Sequence, residues 1–157
     1  MAKRTSPKHA RAVLAIDPGA SAGLALVVDG QLVAHRPCGG ASHNLLLEAL
    51  RRWEHFYAAI PEACRLCVIE DGFGQGIGSK TLDRRRGLAM GAAEAAGFAR
   101  IIYVYPSTWQ SYVFGGKRPE DSKAASMNWC RTELDIEPED HNVADAIALG
   151  VYAYKTQ

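Results

Sequence analysis

Ala12-Val13-Leu14-Ala15-Ile16-Asp17-Pro18-Gly19, followed closely by Gly23-Leu24-Ala25-Leu26-Val27-Val28-Asp29-Gly30, is the stretch on which the fold turns. Five apolar residues in a row, ending on a carboxylate and a Pro-Gly break, read as a strand buried on both faces. The second run is equally apolar, and Asp29-Gly30 behind it is a strong two-residue hairpin signal. Residues 31–35 should therefore return as a third strand.

Working outward, Ser42 is placed to cap a helix over residues 42–59, with Leu46, Leu50, Trp53 and Tyr57 at helical spacing and Pro61 beyond it. Residues 66–69 form a short apolar strand that runs into Glu70. Residues 72–78 hold four glycines, and a helix over residues 79–96 follows, rich in glycine and alanine. A fifth strand is expected at residues 101–104, then helices over residues 107–114, 120–134 and 140–154, with a basic loop at residues 115–119. A hairpin meander followed by alternating helices and strands implies an α/β fold: a mixed five-stranded sheet with helices on both faces. Residues 12–157 make one domain, preceded by a flexible basic arm over residues 1–11.

The balance of 48% apolar and 22% charged residues in 157 is that of a globular chain with a core of its own. No apolar run approaches the length needed to cross a bilayer, which excludes a helical membrane protein. The net charge of +1 hides segregation. Residues 1–11 carry four bases and no acid, residues 76–118 carry seven bases against two acids, and residues 133–145 carry six acids and no base. Such a chain suits a polyanion at one place and a cation at another. The four cysteines do not form a disulfide framework. Cys64 and Cys67 have CxxC spacing without a second pair, and read as reduced, buried thiols. The first eleven residues lack an apolar secretion core, so a reducing cytoplasm is expected.

Three acids stand out by position. Asp17 and Glu70 each end an apolar strand, and if those strands are neighbours both carboxylates leave the same sheet edge. Asp145 lies early in the last helix, with His141 four residues before it on the same face. Carboxylates gathered at one point repel unless a hard cation such as Mg2+ or Mn2+ joins them. Taken alone, Asp17 also fits the plainer task of capping the turn at Pro18-Gly19.

The chain resembles the RuvC-type Holliday junction resolvases of the ribonuclease H-like superfamily. The resemblance rests on Ala15-Ile16-Asp17-Pro18-Gly19 with Gly23-Leu24-Ala25-Leu26, and on Val68-Ile69-Glu70-Asp71-Gly72-Phe73. It continues through the helix containing Gly87, Val104-Tyr105-Pro106-Ser107-Thr108-Trp109 with Gly115 and Lys123, and Ala144-Asp145-Ala146-Ile147-Ala148-Leu149. These blocks span most of residues 12–154. The resemblance implies a ribonuclease H-like fold and a crossover junction endonuclease that nicks opposed strands of a four-way DNA junction as a homodimer. It implies two Mg2+ per active site, with Mn2+ able to substitute, held by Asp17, Glu70, Asp145 and a fourth ligand.

Many members of the family carry that fourth ligand three residues before the final Asp, which here is Asn142. His141, one residue earlier, is the first candidate, with Asn142 itself and Asp140 as the alternatives. Lys123 corresponds to a lysine near the scissile phosphate. A second basic residue of the family falls here on Gln110, and Lys117 or Arg118 would compensate. Lys80, Arg84, Arg85, Arg86, Lys117 and Arg118 would contact phosphates. Phe73 would stack or wedge at the junction centre, the alternative being an ordinary core side chain. The small residues of the helix around Gly87 and Gly97 suit either a dimer interface or close contact with the chain's own sheet. The implied setting is a prokaryotic cytoplasm, or a phage protein in its host. Three other readings stay open: a ribonuclease H-like nuclease that trims ribosomal RNA precursors, a catalytically weak junction-binding module, and, least suited to this length, a sugar-kinase or actin-like ATPase.

Overall fold

A computed structural model describes residues 10–40, 42–72 and 77–157 of the chain. Strand β1 (Ala12–Asp17) is buried throughout, as its unbroken apolar run requires of a central strand. β2 (Gly23–Val28) runs antiparallel to β1, and β3 (Gln31–Pro37) returns along β2. In the turn between them Asp29 and Gly30 have φ of 50° and 84°. Both central residues are left-handed, the twist-matched hairpin that Asp-Gly favours.

On the other side of β1, strands β4 (Arg65–Glu70) and β5 (Arg100–Val104) add in parallel, giving the order β3-β2-β1-β4-β5. Ile16 lies opposite Ile69. The next residues, Asp17 and Glu70, therefore end neighbouring strands at one carboxyl edge and face the same side.

Alternation along the strands divides the core in two. Ala12, Leu14, Ile16, Cys67 and Ile69 share one layer with residues of α1 (His43–Arg52), α2 (Glu54–Tyr57) and α3 (Ile77–Ala95). Val13, Ala15, Leu66 and Val68 face α4 (Pro106–Val113), α5 (Ser122–Leu134) and α6 (His141–Thr156). By parity Asp17 and Glu70 belong to this second side.

Helix α6 lies close over the sheet. A Cβ at Gly150 would stand 3.2 Å from Ala15 Cβ and 3.3 Å from Val27 Cγ2, so its buried neighbours would have to give by a few tenths of an ångström. Gly23 is a harder constraint, because a Cβ there would fall 2.0 Å from the carbonyl oxygen of Asn142. Gly23 also pairs with Asp17, so the amino end of α6 touches the strand end that carries the carboxylate.

The expected helix over residues 42–59 is broken at Trp53, which has φ −96° and ψ −2°. The Leu50 carbonyl accepts both the Trp53 N–H at 3.0 Å and the buried Tyr57 hydroxyl at 3.2 Å. That diversion ends α1 and starts α2. Helices α5 and α6 begin one residue after Asp121 and Asp140, whose carboxylates cap them by accepting N–H groups at 3.0 and 2.9 Å. All four cysteines are free thiols, with Cys38, Cys67 and Cys130 buried. Among the described residues no helix is long and apolar enough to cross a membrane. Most of the expected basic arm, residues 1–9, and Phe73 lie outside the described residues.

Candidate active site

Asp17 leaves the end of β1 with only 7% of its surface exposed. Its Oδ1 accepts the Gly19 N–H at 3.1 Å, so it does cap the Pro18-Gly19 turn. That bond favours the charged form but is outweighed. Burial first, then the charges of Glu70 and Asp145, push the Asp17 carboxyl well above the usual carboxylate range, and Asp140 adds to this. Burial likewise raises Glu70, against the opposing effect of a hydrogen bond from Trp109. Asp145 is pushed up to about 7, by burial and by Glu70 and Asp140, against the Ser126 hydroxyl and Lys123. The three carboxylates thus feel one another across the gap between β1, β4 and α6.

Two donors from the helical layer reach this cluster. The indole N–H of Trp109, on α4, donates to Glu70 Oε2 at 2.9 Å. The Ser126 hydroxyl, on α5, donates to Asp145 Oδ1. Neither residue is among the sequence candidates. Trp109 falls inside a quoted motif block, but an indole at helical spacing reads as core. Ser126 carries no signal beyond its polarity.

Among the described residues none of the three carboxylates is in an ion pair. Like charges held in a dry place without a counter-charge suit a hard cation. Also among the described residues, no three His, Cys, Asp or Glu side chains stand close enough to cage an ion by themselves. Mg2+ does not ask for such a cage: it keeps several waters and takes one or two carboxylates together with substrate phosphates. The donor set fits Mg2+ on that basis.

The candidates for the remaining ligand are placed differently from one another. A Cβ at Gly19 would lie 3.3 Å from Asn142 Oδ1 and 3.5 Å from Asp17 Oδ1, so the Asn142 amide and the Asp17 carboxylate border the same small space. Asp140 spends Oδ1 on the Val143 N–H while its charge bears on Asp17 and Asp145. His141 is half-buried and makes no hydrogen bond or ion pair among the described residues. Its helical offset from Asp145 suggested a shared face; the side chain seen beside Asp17 is that of Asn142.

Lys123 is exposed on the first turn of α5, near enough to Asp145 to hold its carboxyl down. Gln110 is buried with Oε1 unpartnered among the described residues, while Lys117 and Arg118 are exposed in the loop between α4 and α5. On α3, Lys80 and Arg84 are exposed. Arg84 and Arg85 line a cleft of about 340 Å3 with Ser42, His43, Thr81 and Leu88. Arg86 differs from them, because its guanidinium is ion-paired to Asp71 and Asp83. The small residues of α3 are largely used within the chain: Ala89, Ala92 and Ala93 are buried in its core, and Gly91 lies against the His43 ring.

No protein-family model matches the sequence, and no curated protein matches it. Solved structures do match. Thermus thermophilus RuvC superposes with a TM-score of 0.63 at 22% identity, over 90% of this chain and 92% of that one. T. thermophilus RuvC in complex with Holliday junction substrate gives 0.67 at 19% identity, over the same shares of the two chains. The chain has the RuvC fold. The five-stranded sheet layered by helices on both sides is the ribonuclease H-like arrangement expected above. Within the RuvC fold Asp17 and Glu70 occupy the carboxyl ends of adjacent parallel strands, the edge at which open α/β sheets bind their ligands.

Proposed function

We propose that the chain is a metal-dependent endonuclease that resolves four-way DNA junctions by paired nicking. The observation that carries this reading is the cluster of Asp17, Glu70 and Asp145, three mutually repelling carboxylates at the carboxyl edge of a RuvC fold. Asp17, Glu70 and Asp145 share the metal, one or two carboxylates to each cation with water and substrate phosphate completing its shell, and Asn142 joins beside Asp17, ahead of His141 and Asp140. Mg2+, two per site and replaceable by Mn2+, supplies when bound an activated water and charge stabilisation for the leaving 3′ oxygen. Lys123, close enough for its charge to bear on Asp145, would meet the scissile phosphate and offset charge there.

Lys80, Arg84, Arg85, Lys117 and Arg118 position the DNA through its phosphates, and Phe73 meets the bases at the branch point. Arg86 serves mainly to tie Asp71, the neighbour of Glu70, to α3. Two copies act on opposed strands. On α3, Gly87 has open space around it and Met90 is exposed, which leaves that part of the helix for a second copy.

The test is incubation with labelled four-way, three-way and linear DNA and with single-stranded RNA, each with and without Mg2+. Symmetric nicks in the four-way junction, only with Mg2+, are expected. Asp17→Asn should abolish them while junction binding is kept or tightened, because charge that holds the cation is lost and the phosphate contacts are not. Cleavage of RNA without junction preference would replace this reading with an RNA-processing nuclease. Junction binding without cleavage would leave a binding module.

A further inference from the structure

Trp109 and Ser126 share a feature that sets them apart from the residues of the cluster itself. Both are fully buried, and each gives its side-chain proton to one oxygen of a carboxylate. The indole N–H is the one polar group of Trp109. It reaches Glu70 Oε2 at 2.9 Å, and the ring is braced by Phe114, centroid to centroid 6.0 Å. The Ser126 hydroxyl has two acceptors in range, Asp145 Oδ1 and the Ser122 carbonyl oxygen at 3.0 Å, but only one proton. A charged acceptor makes roughly twice as strong a bond as a neutral one, so an ionised Asp145 takes it. Glu70 Oε1 and Asp145 Oδ2 accept no hydrogen bond among the described residues.

The chemistry of the two donors matters as much as their place. A lysine or arginine at either position would orient the carboxylate equally well, but would also neutralise it and compete with a cation. An indole and a hydroxyl orient without supplying charge. They come from α4 and α5, two helices on the face of the sheet toward which Asp17 and Glu70 point.

We propose that Trp109 and Ser126 are positioning residues: each clamps one oxygen of Glu70 or Asp145, leaving the other oxygen oriented and uncompensated for a divalent cation. This rests on the metal-dependent reading above. Outer-shell hydrogen bonds of this kind carry ~10–100-fold in metal affinity.

The experiment is calorimetric titration of Mn2+ into the full chain without DNA, for wild type, Trp109→Phe, Ser126→Ala and Ser126→Thr, with a thermal melt of each in EDTA. Trp109→Phe and Ser126→Ala should each bind Mn2+ about 10–100-fold more weakly. Ser126→Thr, which keeps the hydroxyl, should bind more tightly than Ser126→Ala. Addition of Mg2+ should change the indole fluorescence of wild type, and most of that change should vanish in Trp109→Phe. Variants that melt lower but bind Mn2+ within about twofold of wild type would show a purely structural role and overturn the proposal. If Trp109→Phe does not fold, the two Ser126 variants decide the matter by the same comparison. Failure of the wild type to bind Mn2+ or Mg2+ both alone and with a four-way junction present would instead overturn the metal-dependent reading itself.

Discussion

At Asp145, opposing influences meet on one carboxyl: burial and the neighbouring acids raise it to about 7, while Ser126 and Lys123 pull the other way. Asp17 and Glu70 are raised as well, burial being the largest cause in each. The consequence for stability has a definite sign. In an unfolded chain the Asp145 carboxyl titrates near ~4, so between that pH and about 7 it holds in the folded state a proton that the unfolded state has lost, and Asp17 and Glu70 act in the same direction. Stability of the metal-free protein therefore falls as pH rises through that window. Calorimetric melts in EDTA should give a higher Tm at about pH 6 than at about pH 8, and Asp145→Asn should flatten the difference and raise the Tm at the higher pH. Mg2+ at about pH 8 should restore much of what the repulsion removes. A Tm independent of pH across this range would mean that the cluster is more hydrated than its burial implies. None of this is visible in the residue types alone, since an Asp at a strand end reads equally well as a turn cap.

Among the elements, α6 and β2 are locked by one glycine. Any side chain at Gly23 meets backbone, with a Cβ 2.0 Å from the Asn142 carbonyl oxygen, and backbone cannot swing aside as a flexible side chain can. Gly23→Ala should cost at least ~1–3 kcal/mol and should also weaken metal binding, since Gly23 pairs with Asp17 and Asn142 borders the same carboxylate. Gly87→Ala is the matching control. It lies within α3 with nothing within 4 Å of its Cβ position, so alanine should stabilise the isolated chain by ~0.4–1 kcal/mol. Thermal melts check both, and sedimentation of Gly87→Ala tests the dimer. Weakened self-association would place Gly87 at the interface between copies, whereas an unchanged state would leave it facing solvent. The strands, the hairpin and most helices were readable from period and turn chemistry. The break at Trp53 was not, because it depends on a hydroxyl from Tyr57 bonding back to the Leu50 carbonyl in the folded chain.

For the whole molecule, the proposed function separates attraction to DNA from choice of DNA. On the proposed function, bases of the arm and of α3 would act through phosphates, so removal of residues 1–11 should weaken binding to junction and linear duplex alike and flatten the dependence of affinity on salt. Selectivity requires geometry: two sites at a fixed separation and an aromatic where a junction opens and a duplex does not. Phe73→Ala should lower junction processing selectively, leaving duplex binding nearly unchanged, as measured by parallel cleavage and binding series over a range of salt. An unchanged ratio of junction to duplex would assign Phe73 to the core.

What could be settled along the chain was whatever depends on neighbours in sequence. Apolar runs and their ends placed Asp17 and Glu70 at strand termini, Asp29-Gly30 set the hairpin, and the helical stretch around Asp145 supplied the third carboxylate. A single further fact, that β1 and β4 are adjacent and parallel in register, brings Asp17 and Glu70 to one edge and one face. Other features arise only on docking. Trp109 finds Glu70 across 39 positions, and Ser126 finds Asp145 across 19. Asn142 borders the same small space as Asp17, and Arg86 is drawn from the set of free bases to Asp71 and Asp83. The physical reason is the same each time. Periodicity and turn propensity are local and survive in the unfolded chain, whereas a hydrogen bond or a raised pKa belongs to a pair of groups and a loss of water that exist only once the layers have closed.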